Sequence, residues 1–250
     1  MRLIWTYNGK PVTIDKNPYK VIVRINYYIT SMSIAKRMGY KIVMYCDRQS
    51  SKYFEEFVDE LHILPQYQTP FWDSYKIDVL EKETGEYCLI DGDILLHNKL
   101  PDMTDDLTID CFEVKTFKKY YKPTIDLLTD LGVKEVIPEW ENREQDMINH
   151  GIMCFQNEDF KQLYLERWKR YGRFVDDNIS KITDMTYASL ASQYILVTLM
   201  NANPQWKVKN LSNKLGKPNE YYTHFAGDMK FENPRVPTDK IITYKNKVII

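Results

Sequence analysis

Asp91 and Asp93, with one glycine between them and apolar residues on both sides, are the residues whose types and spacing first suggest chemistry. The run Leu89-Ile90-Asp91-Gly92-Asp93-Ile94-Leu95-Leu96 offers paired carboxylate oxygens. Hard cations such as Mg2+ and Mn2+ take such oxygens, commonly together with substrate phosphates. Gly92 would let a ligand come close to the backbone. The same residues read equally well as a β-hairpin turn, because Asp-Gly between apolar runs is a strong hairpin signal. A second group is His224-Phe225-Ala226-Gly227-Asp228-Met229-Lys230. A histidine at a strand end can complete a metal site, Gly227 permits a tight loop, and Lys230 can reach a phosphate as a point charge. Taken alone, such a histidine is more often structural. A third group, Asn149-His150-Gly151, opens an apolar run. The Asn149 amide could bond a sugar hydroxyl, or the segment could simply be a turn into a core strand. In the fourth, Phe71-Trp72-Asp73-Ser74-Tyr75-Lys76, Asp73 could cap a helix and Lys76 would lie in its first turn. The alternative for Lys76 is a solvated surface lysine.

These residues need elements to hold them. Arg2–Tyr7 reads as a strand. Residues 19–38 read as a helix, with Pro18 near its start and Gly39 just past its end. A strand over 41–46, a helix over 51–61, a helix over 73–83 and the apolar strand Tyr87–Ile90 follow. This alternation is the signature of an α/β fold with a mostly parallel sheet flanked by helices, in which ligands gather at the carboxyl ends of strands. Thr6-Tyr7-Asn8 and Asp91-Gly92-Asp93 both fall at such ends. The second half is less regular. Strands are expected at Leu107–Glu113, 149–156 and 221–224, and helices over 159–171 and 187–200. Residues 240–250 read as a last strand or a surface extension.

The 250 residues suit one large domain better than two small ones. A hydrophobic share of 44% with 28% charged residues is that of a folded globular chain. The net charge of −1 disfavours nucleic acid as a partner, since such binders carry a basic stripe. The small basic groups, Lys118-Lys119 and Lys240, Lys245 and Lys247, read as solvated surface. None of the four cysteines has CxxC spacing, so Cys46, Cys88, Cys111 and Cys154 are expected to be buried, reduced thiols. No run is long and apolar enough for a transmembrane helix, and the N-terminus turns polar too early for a signal peptide. Cytoplasmic location follows by default, with peripheral membrane attachment left open.

The four groups occur together and in one order, and in this they resemble glycosyltransferases of the GT-A fold. The likeness is to the family 8 type and to related uncharacterised bacterial and phage proteins. That pattern has a lysine on an upstream helix, a DxD ending a strand, an Asn-x-Gly strand and a His-x-x-Gly-x-x-Lys loop. The resemblance implies a Rossmann-like GT-A domain spanning 1–250, with a nucleotide-sugar-binding half (1–114) and an acceptor-side half (115–250) carrying the closing metal and phosphate loop. It implies that Asp91, Asp93 and His224 hold Mn2+ or Mg2+, and that Gly227 and Lys230 contact the diphosphate. Thr6 and Tyr7 would approach the base and ribose, with Tyr7 stacking on uracil. Lys76 and Asn149 would face the donor diphosphate and sugar. For the family's Asp-Gln-Asp segment the nearest candidate is Ser189-Leu190-Ala191-Ser192-Gln193. Gln193 would stand near the anomeric carbon, without the flanking acids. Phe231 follows Lys230 where the common pattern has Pro-Trp.

The implied activity is transfer of a sugar from a nucleotide diphosphate, UDP being favoured through the resemblance, to a glycan or other hydroxyl acceptor, with retention of configuration. An inverting enzyme would need a base on the acceptor side, for which Glu113, Glu144 and Asp146 are candidates. Two other readings stand beside it. A sugar-phosphate nucleotidyltransferase shares this sheet architecture, but the opening LIWTYNGKPV lacks its glycine-rich loop. A non-catalytic binding protein on the same fold should have lost one of Asp91, Asp93, His224 or Lys230, and all four are present. Sugar, acceptor and oligomeric state are not legible in the residues.

Overall fold

The computed structural model describes residues 1–9, 18–66, 71, 73–113, 120–182, 184, 186–213 and 215–227. They belong to two compact units, Met1–Gln68 with Glu83–Asp102 and Gly216–Ile250, and Thr69–Lys82 with Met103–Leu215. Each unit draws residues from both sides of the 114/115 division expected above. Lys230, the basic residues at 118–119 and the tail over 240–250 lie outside the described residues.

The first unit is built on four parallel strands in the order β3-β2-β1-β4: β1 (Arg2–Tyr7), β2 (Lys41–Asp47), β3 (Glu60–Leu64) and β4 (Tyr87–Ile90). Leu3, Ile4 and Trp5 of the inner strand β1 are fully buried, which fits a strand covered on both faces. Helix α1 (Pro18–Arg37) carries Lys36 and Arg37 in its last turn, where cations favour the helix dipole, and Gly39 follows at φ +86°. A helix was expected over 51–61. Helix α2 instead runs Arg48–Phe54, and the residues after it form the edge strand β3. Asp47 starts the helix early by capping it. Asp59 then ends the connection, because its carboxylate accepts the Ile42 amide at 2.8 Å and pairs with Lys36 at 2.8 Å. Pairing with β2 then overrides the local helical pattern.

Asp47 does more than cap. Its carboxylate accepts the amides of Gln49 and Ser50, the Ser50 hydroxyl at 2.7 Å and the amide of Gly9 at 2.7 Å. It thereby ties the loop leaving β1 to the start of α2. Asp47→Ala removes the cap and orphans the Gly9 amide, so a loss of roughly 2–3 kcal/mol is expected, read as a lower midpoint in urea.

The first unit also holds a short ribbon of β5 (Ile94–Leu96) antiparallel to β9 (Tyr222–His224). It is anchored on α1, where Ser31 donates to the Ile94 carbonyl at 2.6 Å and receives the Trp5 indole N–H at 3.2 Å. Val23, Tyr27, Phe225 and Leu95 pack together beside it.

The second unit has three strands in the order β7-β6-β8. Strand β6 (Leu107–Glu113) is antiparallel to β7 (Met147–Phe155) and parallel to β8 (Val208–Ser212). Every residue of β7 is buried. Helices α3 (Ser74–Lys82), α4 (Lys122–Asp130) and α5 (Glu158–Asn178) belong to this unit. One helix was expected over 187–200. There are two, α6 (Tyr187–Leu190) and α7 (Gln193–Ala202), with the break at Ser192, whose hydroxyl bonds Asp73. Strand β8 was not anticipated, since its residues Val-Lys-Asn-Leu-Ser carry little alternation.

The fold is α/β with mostly parallel strands flanked by helices, as the alternation of elements predicted. The four cysteines are buried and form no disulfide. Among the described residues no helix is long and apolar enough to cross a membrane.

Candidate metal centre and surrounding residues

Strand β4 delivers Asp91 at its carboxyl end, on the edge of the sheet where β1 ends at Tyr7 and β2 at Asp47. The chain turns at Gly92 and enters β5. The hairpin reading fails here, because β4 pairs with β1 while β5 pairs with β9. That second pairing brings a histidine from far along the chain to the aspartates. Ile94 lies opposite His224, and the Phe225 amide donates to the Asp93 carbonyl at 2.9 Å. His224 Nε2 then stands 3.3 Å from Asp93 Oδ1.

Asp91, Asp93 and His224 each offer a ligand atom, and these atoms lie within 4.8 Å of one another. Asp93 (9% exposed) and His224 (4%) are buried, while Asp91 is half-buried. Two carboxylates and one imidazole suit Mn2+ or Mg2+, and the imidazole shifts the preference toward Mn2+. The set fits the ion that the resemblance implies.

Gly92 is fixed by what lies under it. A Cβ there would stand 2.1 Å from the Tyr28 ring. That ring is held by its hydroxyl, which donates to the Thr6 carbonyl at 2.9 Å, and by an edge contact with Tyr7 at 5.0 Å. Burial, with the charges of Asp91 and Asp93 added, keeps the Tyr28 phenol well above its usual range. It is therefore a neutral donor beside the carboxylates. Gly92→Ala must displace either the ring or the turn. It is expected to cost about 1–3 kcal/mol of stability and to weaken Mn2+ binding at least about tenfold in a calorimetric titration.

The other expected site residues are placed as follows. The Thr6 carbonyl holds Tyr28. Tyr7 is buried, in edge contact with Tyr28 and Phe54. Gly227 has φ +61°, a conformation that excludes most side chains. These belong to the first unit.

Lys76, Asn149 and Gln193 belong to the second. Lys76 is buried (6% exposed) and donates to Nδ1 of His150 at 3.0 Å and to its carbonyl at 3.1 Å. The solvated-lysine reading does not hold. Asn149 donates to Glu113 Oε1 at 2.8 Å and accepts the Gly151 amide at 2.9 Å. Gln193 Oε1 accepts the Tyr121 hydroxyl at 3.1 Å. Burial, with Glu113 beside it, pushes the Tyr121 phenol up.

Tyr28, Ser31, Asp47 and Tyr121 escaped the sequence reading, since each acts through a contact distant in the chain. For Asp47 a signal existed. An aspartate at a strand end before Arg-Gln-Ser-Ser is an N-cap pattern.

The fold and this cluster define an α/β protein with a candidate divalent-cation centre at the carboxyl end of its strands. The chain belongs to a family of unknown function (DUF6734), which matches residues 28–241. No curated protein matches it. Among solved structures it is similar to the galactosyltransferase LgtC, crystallised with donor and acceptor sugar analogues, at 10% identity and a TM-score of 0.44, over 84% of this chain and 73% of that one. It is similar to mouse xyloside xylosyltransferase 1 at 11% identity and a TM-score of 0.42, over 84% of each chain. It is also similar to the inositol-1-phosphate CTP transferase of T. maritima at 11% identity and a TM-score of 0.39, over 80% of this chain and 96% of that one.

Proposed function

We propose that the protein is a metal-dependent glycosyltransferase that takes a sugar from a nucleotide diphosphate, UDP being the favoured carrier. The observation that supports this best is the convergence on one point of Asp91 and Asp93, from a single turn, and His224, from a distant part of the sequence. A decayed or purely structural turn has no need of a buried histidine beside two carboxylates.

Asp91, Asp93 and His224 would hold Mn2+ or Mg2+, which supplies Lewis-acid stabilisation of a departing diphosphate. Tyr28, kept neutral, orients the turn that bears the carboxylates. Gly227 lets the loop after His224 bend, and Lys230, on the motif's pattern, adds a cation for the phosphates. Asn149 and Gln193 are assigned to the sugar, and Glu113, bonded to Asn149, belongs with them. Retention of configuration is part of the proposal, as is a glycan or other hydroxyl acceptor.

The test is thermal shift of the purified chain with Mn2+ and a panel of nucleoside diphosphates, followed by hydrolysis of nucleotide sugars. A ligand that binds only the native state raises its melting temperature. A Mn2+-dependent rise with UDP, and release of free sugar from a UDP-sugar, are expected. Release of pyrophosphate from a nucleoside triphosphate in the presence of a sugar phosphate would instead make it a nucleotidyltransferase. No shift with any nucleotide would sink the donor-site assignment.

A further inference from the structure

The second unit contains a buried hydrogen-bonded chain whose direction can be worked out. Lys76, as an ammonium, has only N–H groups to give, so Nδ1 of His150 must accept. The His150 proton is therefore on Nε2, which lies 2.8 Å from Ser192 Oγ and donates to it. The Ser192 hydroxyl in turn donates to Asp73 Oδ2. Every link runs the same way, Lys76 to His150 to Ser192 to Asp73, with a cation at one end and a carboxylate at the other. All four side chains are buried.

Asp, His and Ser in hydrogen-bond contact invite comparison with a nucleophilic triad. The direction excludes it. A histidine base must accept the serine proton, and here Nε2 already carries one. Ser192 is spent as a donor to Asp73.

What the chain does adjoin is informative. His150 is the neighbour of Asn149, and Ser192 is the neighbour of Gln193. Asn149 donates to Glu113, and Tyr121, beside Glu113, donates to Gln193. Two polar assemblies, one buried and one partly open, are thus joined through two single peptide links. The relay also sits at the break between α6 and α7, which sets where Gln193 begins its helix.

We propose that His150 and Ser192 are positioning residues, whose relay between Lys76 and Asp73 fixes the peptides that carry Asn149 and Gln193 and so sets the group of Asn149, Glu113, Tyr121 and Gln193 to receive the hydroxyls of a sugar. The sugar rests on the function proposed above, whereas the effect of the relay on the two amides does not.

The experiment follows the side-chain amide signals of Asn149 and Gln193 in proton–nitrogen spectra of the full chain, assigned with Asn149→Asp and Gln193→Glu. Ser192→Ala breaks the two links made by the hydroxyl and leaves both charged ends, and His150→Leu breaks the two made by the imidazole. His150→Gln can accept from Lys76 and donate to Ser192. Both amides are expected to shift in Ser192→Ala and His150→Leu and to stay near their wild-type positions in His150→Gln. In hydrolysis of a UDP-sugar, Ser192→Ala should lower kcat by about 10- to 100-fold with KM changed by less than about 2-fold, and His150→Gln should recover most of the turnover. If His150→Leu does not fold, Ser192→Ala carries the result. Amides that stay in place in Ser192→Ala, or a His150→Gln variant as damaged as Ser192→Ala, would overturn the proposal. Amides that move as expected in a protein that hydrolyses no nucleotide sugar would leave the relay standing and remove the donor reading.

Discussion

Replacing Asp93 by alanine is expected to abolish the Mn2+-dependent thermal shift with UDP and to lower sugar release by at least about 10³-fold, which corresponds to about 4 kcal/mol of transition-state stabilisation. Asp93 carries this weight because it is one of three candidate ligands and the one buried against His224, at 3.3 Å. With it gone, Asp91 and His224 remain, too few to hold a weakly binding divalent ion against water. Without metal the variant should melt within a few degrees of wild type. Its loss relieves crowding between two carboxylates and leaves the β5–β9 pairing, which runs through backbone, intact. Binding and folding are thereby separated in one titration. An Asp93→Ala protein that still shifts with Mn2+ and UDP would show that the cluster is not the donor's metal centre.

Lys76→Met should have the largest effect on stability, a loss of about 3–5 kcal/mol at neutral pH, or a melting temperature lower by roughly 10 °C. Methionine matches the stem of lysine but leaves Nδ1 of His150 without its donor and Asp73 without its compensating charge. Burial already holds the Asp73 carboxyl above its usual range, opposed by the Lys76 charge and the Ser192 hydroxyl. A raised native pKa means that the folded state binds the proton more tightly than the unfolded chain does. The contribution of Asp73 therefore favours folding below its unfolded pKa of about 3.9 and is lost as pH rises through the native value. Removing Lys76 raises that value further. The gap in stability between wild type and Lys76→Met should therefore narrow on acidification, once Asp73 is protonated in both. Urea midpoints across pH read this directly. A gap independent of pH would mean that the lysine acts through packing of its stem.

Much of the first unit was legible in the residues. The apolar runs at Arg2–Tyr7 and Tyr87–Ile90 and the glycine-ended helix between them are local signals, and the structure forms all three. Asp91-Gly92-Asp93 was visible for the same reason, as carboxylates at the end of an apolar strand. Its meaning was not. Hairpin and metal turn share the same local sequence, and only the pairing of β5 with β9 separates them. The edge strand β3 and the strand β8 were missed because their hydrogen bonds come from partners distant in the chain.

The relay in the second unit shows the limit most clearly. Asp73, Lys76, His150 and Ser192 each had a plausible local reading: a helix cap, a solvated lysine, a turn, a helix interior. Residue types and their order along the chain determined that carboxylates, an imidazole, an amide and a lysine exist at strand and helix ends. They also determined the α/β class, since hydrophobic period is a property of neighbours. Which of those groups meet was decided by tertiary structure alone. A hydrogen bond or ligand shell depends on distances of about 3 Å between atoms, and spacing along the chain carries no such information once a strand pairing or a helix break intervenes.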